Sequence, residues 1–253
     1  MDRFFPMRRA YGWPGRILAC MAILLCCAGA LVYAQSADVT LRVDFVPAAS
    51  KGHVPAAPLP VVAWLIPLSG NAASTPASET HTYRMVQKNK QFDPHLMVVP
   101  VGSLVQFPNH DPFFHNVFSL YNGKRFDLGL YEAGSERAVR FDREGVSYIF
   151  CDIHPEMGAV ILTLSTPYYA VSRGGTIVIP HVPPGRYSLN VWSEGATTES
   201  VNAVRKQVTV VADGTDLGSI ALVATPSPIA HHANKFGESY PATKDPDLPG
   251  SPY

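Results

Sequence analysis

Apolar and polar residues alternate with a period of two through most of this chain, and strands are the elements that pattern predicts. Val39, Leu41, Val43 and Phe45 alternate with Thr40, Arg42 and Asp44, the signature of a strand with one wet face. Val61 to Ile66 is a brief apolar run between prolines, β-branched at its start, and it predicts a buried strand rather than a helix. Asn71 to Thr82 is polar and predicts a surface loop. From Met85 onward the pattern is strand, turn, strand: Leu96 to Val101 and Leu104 to Phe107 as a pair around Gly102-Ser103, a loop at Pro108 to Pro112, then segments at 113–118, 128–131, 137–141 and 159–164. Val146, Tyr148 and Phe150 alternate with Ser147, Ile149 and Cys151, so the cysteine falls at the last position of a half-buried strand. Two further strands flank a proline-glycine turn at Pro183-Pro-Gly185, with Tyr187, Leu189 and Val191 on one face, and 207–211 and 218–223 add two more. Many short strands at this spacing predict an all-β sandwich or barrel.

Composition narrows the class. The chain has 253 residues, 47% hydrophobic, enough for one large or two small cores. Twenty basic residues balance twenty acidic ones, with no basic run beyond the extreme N-terminus, which argues against a nucleic-acid partner. Residues 1–34 read as a cleavable export signal: Arg3, Arg8, Arg9 and Arg16 precede an apolar core from Ile17 to Val32, and Val32-Tyr-Ala34 offers a small-residue cleavage site before Gln35. An uncleaved anchor is the rival reading, but the run falls short of the roughly 18 residues needed to span a bilayer. The expected setting is periplasmic or otherwise exported, with no membrane attachment after cleavage.

Export changes the reading of the cysteines. Cys20, Cys26 and Cys27 lie in the signal, leaving Cys151 as the one thiol of the mature chain. A lone thiol in an oxidising compartment is a liability unless it is buried or bound to metal. The loop after it reads Cys151-x-x-His154-Pro155-x-Met157, so a thiolate, an imidazole and a thioether can converge within one turn. Two imidazoles and a thiolate in a plane with a weak axial methionine form the ligand set of electron-transfer copper. Glu156 is the alternative fourth ligand, and a Cys, His, His, carboxylate set also suits zinc; copper binds such a site more tightly in the usual order of affinities.

The segment 85–165 resembles the cupredoxin family, the plastocyanin and amicyanin type of blue copper protein. The resemblance rests on Phe92-x-Pro94, Gly102-x-x-Val105-x-Phe107-x-Asn109, His115-Asn116 and the Cys151 to Met157 loop. It implies a Greek-key β-sandwich holding one type 1 copper ion through His115, Cys151, His154 and Met157. Asn116 would tie the two ligand loops together by hydrogen bonds, with the backbone around Asp152 as its partner. His115 is preferred to His110 because Asn116 follows it; His110 and His231-His232 are expected at the surface. Phe113 and Phe114 either form an apolar patch around the copper or pack inside.

Residues 168–223 resemble the carboxypeptidase-regulatory or transthyretin-like sandwich, whose first half looks like part of 38–84. The expectation is that the copper module interrupts a second, discontinuous small sandwich with Trp64 and Trp192 in its core, followed by an extended proline-rich tail at 224–253. The combined reading is an exported carrier of single electrons between redox partners, a c-type cytochrome or an oxidoreductase, and not an enzyme: the motifs of the common hydrolases and phosphate-binding loops are missing. The alternative is a copper-binding, storage or delivery protein with no electron-transfer role.

Overall fold

The computed structural model describes residues 36–48, 59–68, 81–120, 123–173, 175–227, 229 and 232–240. The predicted export signal and most of the predicted loop at 71–82 lie outside these residues. Among the described residues the chain is all-β, with a single short helix, α1 (Thr198–Ala203), capped by Thr197.

Four sheets are stacked, and the alternation seen in the sequence shows how. An outer sheet orders β14 (Gly175–Val182), β1 (Ala37–Val46) and β17 (Thr215–Val223). The next orders β13 (Tyr169–Ser172), β2 (Val61–Pro67), β15 (Gly185–Ser193) and β16 (Lys206–Val210). The third is five-stranded: β6 (Leu96–Pro100), β12 (Gly158–Leu164), β11 (Gly145–Phe150), β8 (His115–Ser119) and β9 (Phe126–Tyr131). The fourth orders β10 (Glu136–Phe141), β7 (Ser103–Pro108) and β3 (Thr82–Arg84), and a small hairpin, β4 (Val86–Lys88) with β5 (Gln91–Asp93), sits beside it.

Successive side chains of a strand point to opposite faces, so each inner sheet feeds two cores. In β2, Val61, Ala63 and Leu65 join the core of the outer sandwich while Val62 and Trp64 face the other way. In β12, Ala159 and Ile161 enter the core of the donor-bearing sandwich, whereas Val160, Leu162 and Leu164 meet Val62 and Trp192 in a middle layer. All seven residues of β12 are buried for this reason. The same geometry corrects two expectations. Trp64 and Trp192 do not fill the second sandwich; they pack between the two sandwiches against Phe118 and Phe150. In the cysteine strand β11 the expected alternation holds for Val146 and Tyr148, partly buried opposite the buried Ser147 and Ile149, but Phe150 on the wetter face is buried in the middle layer.

The outer sandwich is discontinuous. β1 pairs antiparallel with β14 and parallel with β17, and β2 pairs with β13 and β15, so strands from the two ends of the described chain close one core around everything between them. Another local expectation fails: β6 and β7 are not a hairpin. β6 pairs with β12 and β7 with β10 and β3, in different sheets. Gly102, at φ +94°, turns the corner between them, and its N–H bonds to Phe141 O while that of Val101 bonds to Leu164 O.

The segment after β17 does not run free of the body. Ile229 is buried, and it lies so close to Gly158 that a Cβ there would meet its methyl group at 2.2 Å. Beyond it, His232 stacks on Phe150 at 4.0 Å between ring centroids, and Tyr240 Oη lies 2.7 Å from the carbonyl of Cys151. His232 is therefore packed and not solvated as the sequence suggested; His231 lies outside the described residues. The sequence offers Phe236 and Tyr240 as the aromatic residues through which an extended tail would lie on the sandwich; Tyr240 does so, while Phe236 is 73% exposed.

Candidate metal centre

β8 and β11 are antiparallel neighbours, with Phe118 opposite Phe150. That register carries His115, at the start of β8, past the end of β11 and alongside the loop that begins at Cys151. The loop closes on itself, the N–H of Met157 reaching the carbonyl of His154 at 3.1 Å and that of Cys151 the carbonyl of Met157 at 3.2 Å. Its tightness leaves little choice in where Cys151 and His154 project.

They project toward His115. Nδ1 of His115 and Nδ1 of His154 lie 3.1 Å apart, and Cys151 Sγ lies 3.8 Å from the first and 3.5 Å from the second. A point in the plane of these three atoms stands roughly 2 Å from each, close to the lengths of metal–imidazole and metal–thiolate bonds. Cys151 and His115 are fully buried and His154 is 8% exposed. Among the described residues this is the group of histidine, cysteine and acidic side chains whose ligand atoms converge within 4.8 Å.

The protonation states follow from the partners. Asp111 Oδ2 lies 2.8 Å from His115 Nε2, and a carboxylate oxygen accepts, so the ring proton belongs on Nε2 and Nδ1 keeps its lone pair toward the sulfur. Burial works to raise the pKa of Asp111, but the amides of Lys90 and Asn89 and the His115 ring outweigh it and hold the carboxyl below its usual range. Burial lowers the pKa of His115 against the opposing pull of Asp111, which favours the neutral ring a metal needs. Burial also pushes the Cys151 thiol up, opposed by the main-chain N–H groups of Asn116, Ile153 and His154 directed at the sulfur. A cation in the plane would reverse that balance by favouring the thiolate.

The remaining candidates divide cleanly. Met157 is fully buried and belongs to the same core cluster as Cys151. Glu156 is exposed and does not join the converging donors. His110 is at the surface, with its main-chain N–H on the carbonyl of Gln87. Phe113 is half-buried, its ring 5.2 Å from that of His115 and 5.6 Å from that of His154, whereas Phe114 is 54% exposed. The first therefore packs against both imidazoles and the second stands in solvent.

Asn116 does not use the partner expected for it. Its Nδ2 donates to Asp127 Oδ1 at 2.7 Å, because β9 and not the cysteine loop lies beside its side chain. Its main-chain N–H is directed at the Cys151 sulfur, while the link from its side chain to the loop is relayed by the tail. Lys235 Nζ bridges Asp127 Oδ2 at 3.0 Å and Asp152 Oδ2 at 3.6 Å, and the Lys235 N–H donates to Asp152 Oδ1.

Two groups of this site escaped sequence reasoning. Asp111 was read as part of a loop, although an acidic residue four positions before a candidate histidine ligand is a usable signal. The tail residue Lys235 carried no local signal, since its carboxylate partners, Asp152 and Asp127, lie more than 80 residues away.

No protein-family model and no curated protein matches the chain. Among solved structures it is similar to a purple cupredoxin from Nitrosopumilus maritimus, at 24% identity over 33% of this chain and 99% of that one, TM-score 0.30. A reduced amicyanin variant aligns at 17% identity over 40% of this chain and 99% of its own, TM-score 0.31. The copper-containing nitrite reductase from Thermus scotoductus SA-01 aligns at 19% identity and TM-score 0.32, over 48% of this chain, which covers 28% of that enzyme. No helix among the described residues is long and apolar enough to cross a membrane.

Proposed function

We propose that this protein is an exported type 1 copper protein that carries single electrons between redox partners, with His115, Cys151, His154 and Met157 as ligands. The observation that carries the proposal is the triangle formed by Nδ1 of His115, Nδ1 of His154 and Sγ of Cys151, with sides of 3.1, 3.5 and 3.8 Å. One thiolate and two imidazoles in a plane select copper over the hard cations. A bound copper ion would supply one-electron chemistry by cycling between its cuprous and cupric states. The protein's part is to hold three donors where neither state forces them to move, to exclude water from the sulfur, and to leave the edge of His154, 8% exposed where the other two donors are fully buried, as the way in and out. Met157, buried in the same core as Cys151, would be the fourth ligand in this reading.

A store or delivery protein would use the same donors but must open to release its cargo. Full burial of Cys151 and His115, together with the tail bonded to the carbonyl of Cys151, favours the carrier. The physiological partner would be a c-type cytochrome or an oxidoreductase, and the outer sandwich, which we read as of the carboxypeptidase-regulatory kind, would serve as a rigid mount.

Titration of purified protein with Cu(II) tests the site: one equivalent should produce an intense visible thiolate-to-copper band that Cys151→Ser abolishes. Stopped-flow mixing of the cuprous protein with an oxidised c-type cytochrome then tests the role. Rapid appearance of the reduced cytochrome, with matching growth of the thiolate-to-copper band, supports the carrier, whereas a coloured site that exchanges no electrons identifies the store. A colourless protein refutes both.

A further inference from the structure

The carboxylate of Asp111 is 5% exposed and is gripped from the side opposite the donor triangle. Asn89 and Lys90 form the tip of the β4–β5 hairpin, at φ 55° and 56°, the two consecutive left-handed residues of a tight hairpin turn. That conformation turns both main-chain N–H groups inward. Asn89 N donates to Asp111 Oδ1 at 2.6 Å and Lys90 N to Oδ2 at 2.9 Å. Lysine is an unusual residue at positive φ, and the pair of amide-to-carboxylate bonds offsets its cost. Asn109 fixes the other end of the loop, its Oδ1 accepting from Asp111 N at 3.0 Å and its Nδ2 donating to Phe113 O at 2.7 Å. A buried carboxylate that already accepts two main-chain hydrogen bonds thus has one remaining strong contact, the 2.8 Å bond from His115 Nε2–H.

We propose that Asp111 is the positioning residue that fixes the tautomer of His115 and sets the copper potential, through a hairpin–carboxylate–histidine relay from the amides of Asn89 and Lys90. The proposal rests on the copper reading above and adds to it a direction. A charged acceptor on Nε2–H draws the ring toward imidazolate character and makes Nδ1 a stronger donor. A stronger σ-donor stabilises the cupric state more than the cuprous state, so the relay lowers the reduction potential. A neutral acceptor at the same place would do this much less. The hairpin keeps the carboxylate from rotating away, so that the ring is held before metal arrives.

Two measurements test the relay. In copper-free wild-type protein, ¹⁵N NMR of the histidine rings should show His115 protonated at Nε2 and bare at Nδ1 at neutral pH. In Asp111→Asn, the thiolate-to-copper band should persist while Cu(II) affinity falls about tenfold relative to Cu(I), equivalent to about 59 mV of higher potential for one electron. Finding the proton on Nδ1 in the wild type overturns the relay even if the variant does not fold. An unchanged potential in a folded, coloured variant overturns it as well. Absence of the band in wild-type protein refutes the copper reading instead, so the two failures are distinguishable.

Discussion

The two sandwiches solve different problems with the same architecture. The outer core is almost entirely aliphatic: Val39, Leu41, Val43, Val61, Ala63, Leu65, Ile177, Ile179 and Leu189, with Tyr168 and Tyr187 at its edge. The donor-bearing core contains Met85, Phe107, Tyr131, Phe141, Cys151 and Met157, and beside it Gln87, Asn109, His115 and Asn116 are buried. Buried polar groups are costly unless they are paired. Here much of the pairing goes to the frame of the site: Gln87 Nε2 and Tyr131 Oη both reach the carbonyl of Phe107, and Asn109 clamps the 109–113 loop. The lesson is that positional control is concentrated in one sandwich, while the other supplies hydrocarbon burial without that burden.

Cys151→Ser should have the largest effect, confined to the donor-bearing sandwich. It should eliminate the copper band while leaving the far-ultraviolet circular dichroism unchanged, because serine is smaller and the surrounding strands keep their ladders. Next comes the shared layer. Phe118→Ala removes a fully buried ring from the cluster joining the two sandwiches and should cost about 3–5 kcal/mol in urea unfolding. It should also separate what is otherwise one transition into two, followed by tryptophan fluorescence and by the copper band.

Leu65→Ala, in the outer core, should cost about 2–5 kcal/mol with the copper spectrum and potential unchanged. A shift in either would show that the outer core also positions the donors. The smallest effect concerns His95, half-exposed, whose Nε2 lies 2.6 Å from Oε2 of the buried Glu194. The bond to Glu194 raises the pKa of His95 despite desolvation. Burial would raise that of Glu194, but its bonds to His95 and Ser227 lower it. The histidine's contribution is full below its ordinary value of 6.5 and is lost as pH climbs through the raised one. The carboxylate's is full above 4.5 and is lost as pH falls through the depressed one. Melting curves should therefore show His95→Gln less stable than wild type by up to about 1 kcal/mol, discounted for solvent screening. The difference should be largest between pH 4.5 and 6.5 and should vanish at higher pH.

What could be read from the sequence follows the range of the interaction responsible. The thiolate, imidazole and thioether of Cys151, His154 and Met157 are separated by at most six residues, so their spacing alone suggested a shared ion. His115 needed a family resemblance, because 36 residues separate it from Cys151 and nothing local records the β8–β11 register. Brevity and β-branching correctly marked Val61 to Ile66 as a buried strand, yet they could not say that Val61, Ala63 and Leu65 would enter one core while Val62 and Trp64 enter another. Gly102 signalled a turn, but whether a two-residue turn makes a hairpin or a corner depends on strands far away. Asp111 and Lys235 were missed for the same reason. Their partners are the β4–β5 hairpin tip, β9 and the cysteine loop, surfaces that exist once the chain has folded.

The parallel ladder between β1 and β17, with Val39 opposite Thr215, has a consequence for biogenesis. A chain emerging from the amino end presents β1 and β2 long before the strands that complete their sheets exist, and unpaired strand edges invite misassembly. The contiguous segment between them is released whole and can form its own barrel-like core early. Closure of the outer layers must wait for the final strands, so truncation shortly before residue 215 should leave a binding-competent but aggregation-prone intermediate.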